Sequence, residues 1–486
     1  MSEPEPFGGL HAQRVLAFVG LCLLGGCDRT GESSEANDQR HTVEIATPGP
    51  IARADQRPGD AGLGKQALLN EPYVSCGLPL SVYQRVTSEA AVIPVPGRSG
   101  KAATLSYDAT LWTNDEGVEV VSSNCLACHG STLFGELVIG LGNEFADFTQ
   151  NASDRVEEVG LFVQGEPETR VWQKYADRIA KIAPYLKTKT VGVNPANSLT
   201  MALIAHRDRH TIAWSEDPLL PLPTFETPPV SVPPWWRMKK KHAMFSMGEG
   251  RGDHARIMMA AAMLCSDSIE QLELIDAYAP DIRKYISSLE PPAYPFPTES
   301  DVVAQGEGVF NEHCAGCHGR YGEPSSYPNL LVDIEVIGTD STLIDFAISD
   351  GKAYAQWFNE SYFGQLSQAV PANGYVAPPL DGVWATAPFL HNGSVPTIRA
   401  LLDSRLRPTY WMHEVDDAND PNSFDQHNIG WHHRVLDSGQ DKPAVGVKRK
   451  RIYDTTIPGY SNSGHLFGDQ LSDSDRSAVI EYLKTL

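Results

Sequence analysis

The chain has 486 residues, with 61 acidic and 39 basic side chains and a formal net charge of −22. That excess excludes a nucleic-acid binder held by phosphate contacts and favours a neutral or basic protein partner. With 41% hydrophobic and 21% charged residues, the composition is that of a soluble globular protein long enough for two or three domains.

In chain order, Arg14 precedes the apolar run Val15–Leu24, which ends in Gly25-Gly26-Cys27. A basic residue, a short apolar stretch and small residues predict an export signal over residues 1–27, too short to span a bilayer. Leu24-Gly-Gly-Cys27 resembles the lipobox of bacterial lipoproteins. The resemblance implies a membrane-anchored lipoprotein on the periplasmic side, attached through Cys27. Residues 28–65 are polar and rich in Pro and Gly, which predicts a flexible tether. Residues 66–110 read as an N-terminal extension. Cys76 and Cys265 are the cysteines outside the signal and outside the motifs below. They could pair in an oxidising compartment. Cys265 also suits a buried thiol, and the sequence leaves both readings open.

Cys125-Leu-Ala-Cys128-His129 and Cys314-Ala-Gly-Cys317-His318 each place two cysteines around two residues, followed at once by histidine. This is the attachment pattern of c-type haem. Two thiols three positions apart share one helical face, where each forms a thioether. The adjacent imidazole is the proximal iron ligand. Zinc ribbons set their cysteine pairs about 15–20 residues apart, far closer than these, and a thioredoxin-like pair needs no histidine at that offset. Two covalently bound haem c groups are expected.

Gly117, Val121 and Cys125 are spaced like Gly306, Phe310 and Cys314, which predicts comparable helical stripes before both motifs. Asp281–Leu289 and Arg476–Leu486 read as the last helix of each half, and Ser472 with Asp475 offers a capping box. The proline-rich stretch 290–297 marks the boundary. The expected fold is mainly α. A first cytochrome c-like domain covers 66–290, a second covers 298–486, and long ordered loops join their elements. Lys239–Lys241 and Lys448–Arg451 read as solvated faces.

Thr386-Ala-Pro388-Phe-Leu-His391-Asn-Gly393, together with the two haem motifs and the terminal helix, resembles the bacterial di-haem cytochrome c peroxidase superfamily. The likeness is closest to the branch containing the di-haem rubber oxygenases, which Ile139–Asn143 also fits. It implies backbone carbonyls at Thr386 and Pro388 as possible calcium ligands, and a place for His391 near the second haem without ligating it. Arg405 falls where the peroxidases carry a ligating methionine, so His465 is the candidate distal ligand of the second haem. Met412, His413, His427, His432 and His433 compete with it. No histidine lies between His129 and His206, where the peroxidases have the distal one, so the first haem is expected to be open. Trp235 and Trp236 are candidates for the residue between the haems, with Trp236 the closer match. Glu249, Arg251 and His254 could handle protons and charge in peroxide cleavage. The implied activity is peroxide reduction, with electrons from a small periplasmic cytochrome c or cupredoxin. Two alternatives stay open: dioxygen-dependent cleavage of an apolar substrate such as polyisoprene, and a non-catalytic electron carrier.

Overall fold

The computed structural model describes residues 43–87, 93, 95–224, 227–414 and 419–486. The export signal, Cys27 and the tether residues 28–42 lie outside the described residues. Helices make up 40% of the fold and strands 14%, so it is mixed rather than mainly α. The described strands form six small sheets of two or three strands each. They run from two to five residues, too short to print an alternating pattern in the sequence.

Four helices frame the two motifs: α1 (Ala61–Asn70), α2 (Ala279–Ile286), α3 (Ser300–His313) and α4 (Asp473–Leu483). Helix α1 packs on α2, and α3 packs on α4. Each crossing is closed by a glycine. A Cβ on Gly64 would lie 1.9 Å from the Asp281 carbonyl oxygen, and one on Gly306 would lie 1.9 Å from that of Ala478. Any side chain there forces the helices apart. Ser472 caps α4 by accepting from the Asp475 amide. The proline-rich stretch 290–297 is non-helical between α2 and α3.

Gly64, not Gly117, is therefore the counterpart of Gly306. Gly117 sits in a turn at φ +76°, with nothing within 4 Å of a Cβ, and Val121 lies in strand Glu119–Ser123. The expected helical stripe before Cys125 is a β-hairpin, Ala109–Thr113 against Glu119–Ser123, flanked by Leu78–Pro79. Residues expected as an extension thus begin inside the first framing helix.

The tether expectation also fails over 43–65. Gly49–Pro50 pairs with Leu330–Leu331, and Ile51 is 5% exposed. Arg57 is ion-paired with Asp253 at 3.0 Å and Asp276 at 2.8 Å. Local composition suggested solvent, but the partners of this strap lie far along the chain. Cys76 and Cys265 form a disulfide with Cα atoms 5.6 Å apart. Two residues on, Asp267 gathers Lys174, Arg178 and Arg207. Burial opposes its ionisation, but those three cations hold the carboxyl down at about 2.

The cores of the two halves exchange elements. Helix Lys352–Glu360 and Tyr362–Phe363, from the second half, pack into the core around Leu68, Ile204 and Ile282. In the other direction, Leu133 and Leu141 join the core around Phe310, Trp384 and Tyr482. Phe134, at the tip of hairpin 130–139, lies 5.6 Å from Phe296, 5.9 Å from Phe424 and 6.1 Å from Trp431, ring to ring. Aromatic packing thus fastens the loop that follows Cys128 to the second half.

Candidate haem sites

Both motifs form one-turn helices, Leu126–His129 and Ala315–His318, with four free cysteines. Burial pushes the Cys125 thiol up to about 12 and the Cys128 and Cys314 thiols up to about 11. A thiolate redox pair needs the opposite shift, so the environment does not suit thioredoxin-like chemistry.

The imidazoles differ in what holds them. His318 Nδ1 donates to the Pro378 carbonyl at 2.8 Å. A carbonyl can only accept, so this bond puts the proton on Nδ1 and leaves the Nε2 lone pair for a metal. The His465 ring faces it, 6.2 Å from centre to centre. Two iron–nitrogen bonds of about 2 Å, plus roughly 1 Å from each nitrogen to its ring centre, require about 6 Å between two axial imidazoles. His465 Nδ1 is buried without a hydrogen-bond partner. Its residue sits at φ +49°, tied through its amide to the Ile337 carbonyl at 2.7 Å. The Arg407 guanidinium grips the carbonyls of Gly464 and His465 at 2.7 and 3.2 Å. Burial, and after it the neighbouring His318 and Arg407, brings His465 down to about 4, so it is neutral as a ligand must be. These residues fit a haem held between two histidines.

Of the competing groups, His427 and His432 are exposed, and the other three have their own contacts. Met412 sulfur accepts from Arg434, and His413 and His433 pack edge-on to Trp411. Arg405 is exposed and paired with Asp403 at 2.7 Å. His391 stacks on Tyr375 with ring centres 4.0 Å apart. The Tyr375 hydroxyl donates to the Asp340 carbonyl at 2.9 Å, so its 3.0 Å contact with His391 is donated by Nε2.

His129 has other company. Among the described residues the ring against it is Trp235, stacked at 4.8 Å and 22°. The Pro233 carbonyl faces its ring, although Nδ1 makes no hydrogen bond of ordinary geometry. Burial lowers it to about 4. No second imidazole faces it among the described residues. The neighbouring Trp236 is fully buried, and its Nε1 donates to the Asp381 carbonyl at 2.8 Å. One short turn, Trp235–Lys239, thus touches His129 at one end and the loop beyond Pro378 at the other.

Glu249 immediately precedes the strand Gly250–Gly252, which contains Arg251 and pairs with Ser367–Ala369, and His254 opens the helix His254–Met258. Glu249 Oε2, Arg251 Nη2 and His254 Nε2 are each buried without a partner. Burial raises Glu249 to about 7, against the pull of Lys241, Asn197 and Arg251, and lowers His254 to about 4. Lys241 acts on both and is itself brought down to about 8 by burial. The basic run is only partly a solvated face: Lys239 is exposed and pairs with exposed Glu290, whereas half-buried Lys240 pairs with Asp381 at 2.7 Å and half-buried Lys241 donates to the Phe245 carbonyl. In the second run Lys450 pairs with Asp147.

The calcium expectation concerns the backbone carbonyls of Thr386 and Pro388; the Thr386 side chain itself is already engaged. The Thr386 hydroxyl donates to the Val383 carbonyl at 3.0 Å and accepts from Arg237 at 3.3 Å. A guanidinium therefore stands beside it. Ca²⁺ needs six to eight oxygens, and no cluster of three or more acidic, histidine or cysteine ligands exists among the described residues.

The sequence profile of the family described as RoxA-like, cytochrome c-like matches residues 374–412, the segment carrying Pro378, Thr386 and His391. The chain is also similar to two proteins of Sinorhizobium fredii, both described as uncharacterized. To y4iJ it is 29% identical over 274 residues, 43% of each chain. To y4iM it is 28% identical over 247 residues, 42% of this chain and 53% of the other. The chain spans about half the length of these curated relatives. The profile points to covalently bound haem c and to an oxidoreductase or electron-transfer role at a coarse level.

Proposed function

We propose that the protein is an exported di-haem c-type oxidoreductase that reduces hydrogen peroxide at the Cys125–His129 site, with electrons relayed through the Cys314–His318 site. The observation that carries this reading is the inequality of the two histidines: His318 is faced by His465, and His129 is not matched by a second imidazole among the described residues. Bound haem would supply the iron that exchanges electrons with a donor and with a small oxidant. His318 and His465, whose rings face each other, would hold the relay haem between them. Trp235 and Trp236 bridge from His129 to the Asp381 loop and form the route between the sites. Glu249, ionising near neutral pH, accepts a proton, and Arg251 and Lys241 offset developing negative charge. His254, neutral in this range, positions the oxidant.

The disulfide supports residence in an oxidising compartment, with Cys27 as the lipid anchor. No helix among the described residues is long and apolar enough to cross a membrane. The electron donor is a small cytochrome c or cupredoxin.

A second reading, oxygen-dependent cleavage of an apolar polymer such as polyisoprene, draws support from the RoxA-like match. The experiment mixes full-length holo-protein with peroxide and a reduced small cytochrome. Rapid oxidation of the cytochrome is expected. No turnover, with or without pre-reduction, overturns the proposal. Oligo-isoprenoid products from polyisoprene under air would favour the second reading.

A further inference from the structure

Arg237 is a cation in an unusual place. It is 8% exposed, its Nε donates to the Asp381 carbonyl at 3.0 Å, and its Nη2 donates to Thr386 Oγ1 at 3.3 Å. Neither partner is an anion. The Asp381 carboxylate is taken by Lys240 at 2.7 and 2.9 Å. No ion pair involves Arg237 among the described residues. Burial lowers it to about 10, which leaves it charged at neutral pH. The Asp381 carboxylate steadies Arg237 through charge but is shared with Lys240, so two cations face one anion here and a further negative group is called for.

Its neighbours say where that spot is. The Trp236 indole and the Arg237 guanidinium donate to the same Asp381 carbonyl. The charge of Arg237 acts on His318, and on Tyr321 and Tyr327. The Tyr327 hydroxyl donates to the Ala377 carbonyl at 2.6 Å, next to the Pro378 that orients His318. Arg237 therefore stands where the tryptophan turn meets the proximal loop of the second site. It hydrogen-bonds Thr386, where resemblance had implied a divalent cation.

We infer that Arg237 takes the place of a calcium ion at the junction of the two haem sites, supplying a fixed positive charge that balances the carboxylates carried by the bound haem. A guanidinium is a suitable substitute because its fork of donors stays protonated and pairs with carboxylate in two directions. The inference rests on haem binding at His318, but not on which oxidant is reduced. Arg237 is a positioning residue, acting on the relay haem through charge. A positive charge beside a haem disfavours the oxidised iron, so its removal makes the potential more negative.

The test uses full-length di-haem protein and three measurements. Metal analysis of the wild type is expected to find well under one calcium per chain, and a calcium chelator is expected to leave the spectra and potentials unchanged. Redox titration of Arg237→Gln is expected to shift the second haem to more negative potential, with Arg237→Lys retaining most of the wild-type value. One tightly held calcium per chain, whose removal shifts that potential, overturns the inference. So does an Arg237→Gln protein that carries both haems at unmoved potential. If Arg237→Gln does not assemble, the wild-type metal content and Arg237→Lys decide. Peroxide turnover and haem count, assayed separately, distinguish failure here from failure of the proposed function.

Discussion

The two Cys-x-x-Cys-His motifs are reached by different routes through the chain. In the second half, α3 runs directly into Cys314, and its packing glycine, Gly306, stands eight positions before that cysteine. In the first half, α1 carries the equivalent glycine, Gly64, and a three-stranded sheet intervenes before Cys125. Yet both glycines meet a carbonyl of the closing helix at the same 1.9 Å. The helix crossing that supports a motif is thus preserved in space although the connection is not. The inserted sheet leaves the first site with different surroundings, in which Trp235, not an imidazole, is the ring against the proximal histidine.

That contrast can be attacked from several sides. The largest effect is expected from serine at both cysteines of one motif. Replacing Cys125 and Cys128, or Cys314 and Cys317, should each remove one covalent haem by pyridine haemochrome assay. If either double variant keeps two, that motif is not an attachment site. Next, His465→Ala should convert the second site from low-spin to high-spin in the oxidised absorption spectrum, and an unchanged spectrum would remove His465 as ligand. Third, Gly64→Ala and Gly306→Ala should each lose about 2–3 kcal/mol, because a methyl group meets backbone in both. Gly117→Ala should lose only about 1 kcal/mol, from its positive φ. Equal losses at Gly64 and Gly117 in chemical denaturation would contradict the pairing of Gly64 with Gly306.

The smallest effect is a pH dependence. Burial holds Glu249 protonated up to about pH 7, so a proton-accepting role switches on as pH rises through about 7. The same raised value means that its contribution to folding stability is complete below about pH 4 and fades as pH climbs through about 7. Glu249→Gln should flatten both profiles, and an intact rise in activity through about pH 7 in the variant would assign the proton transfer elsewhere.

The two Cys-x-x-Cys-His motifs were legible because the residues of each are adjacent in sequence. The closing helix α4 and its Ser472 cap were legible for the same local reason. The first framing helix was not, since a crossing glycine has no signature of its own and Gly64 lies far from Cys125. Nor was the strap at 43–65, whose Arg57 finds Asp253 and Asp276 only in three dimensions. Arg237 and Lys241 were missed because a basic run normally marks surface, and only the fold reveals that these side chains turn inward. Strands of two to five residues carry too few positions to declare a period.

The account turns on one iron being closed by His318 and His465 and the other having a single imidazole. An electron paramagnetic resonance spectrum of the oxidised full-length protein, with its haem content measured on the same sample, tests this directly. Two haems giving one low-spin and one high-spin signal are predicted. Two low-spin signals that persist after partial reduction, or a single haem per chain, would contradict it.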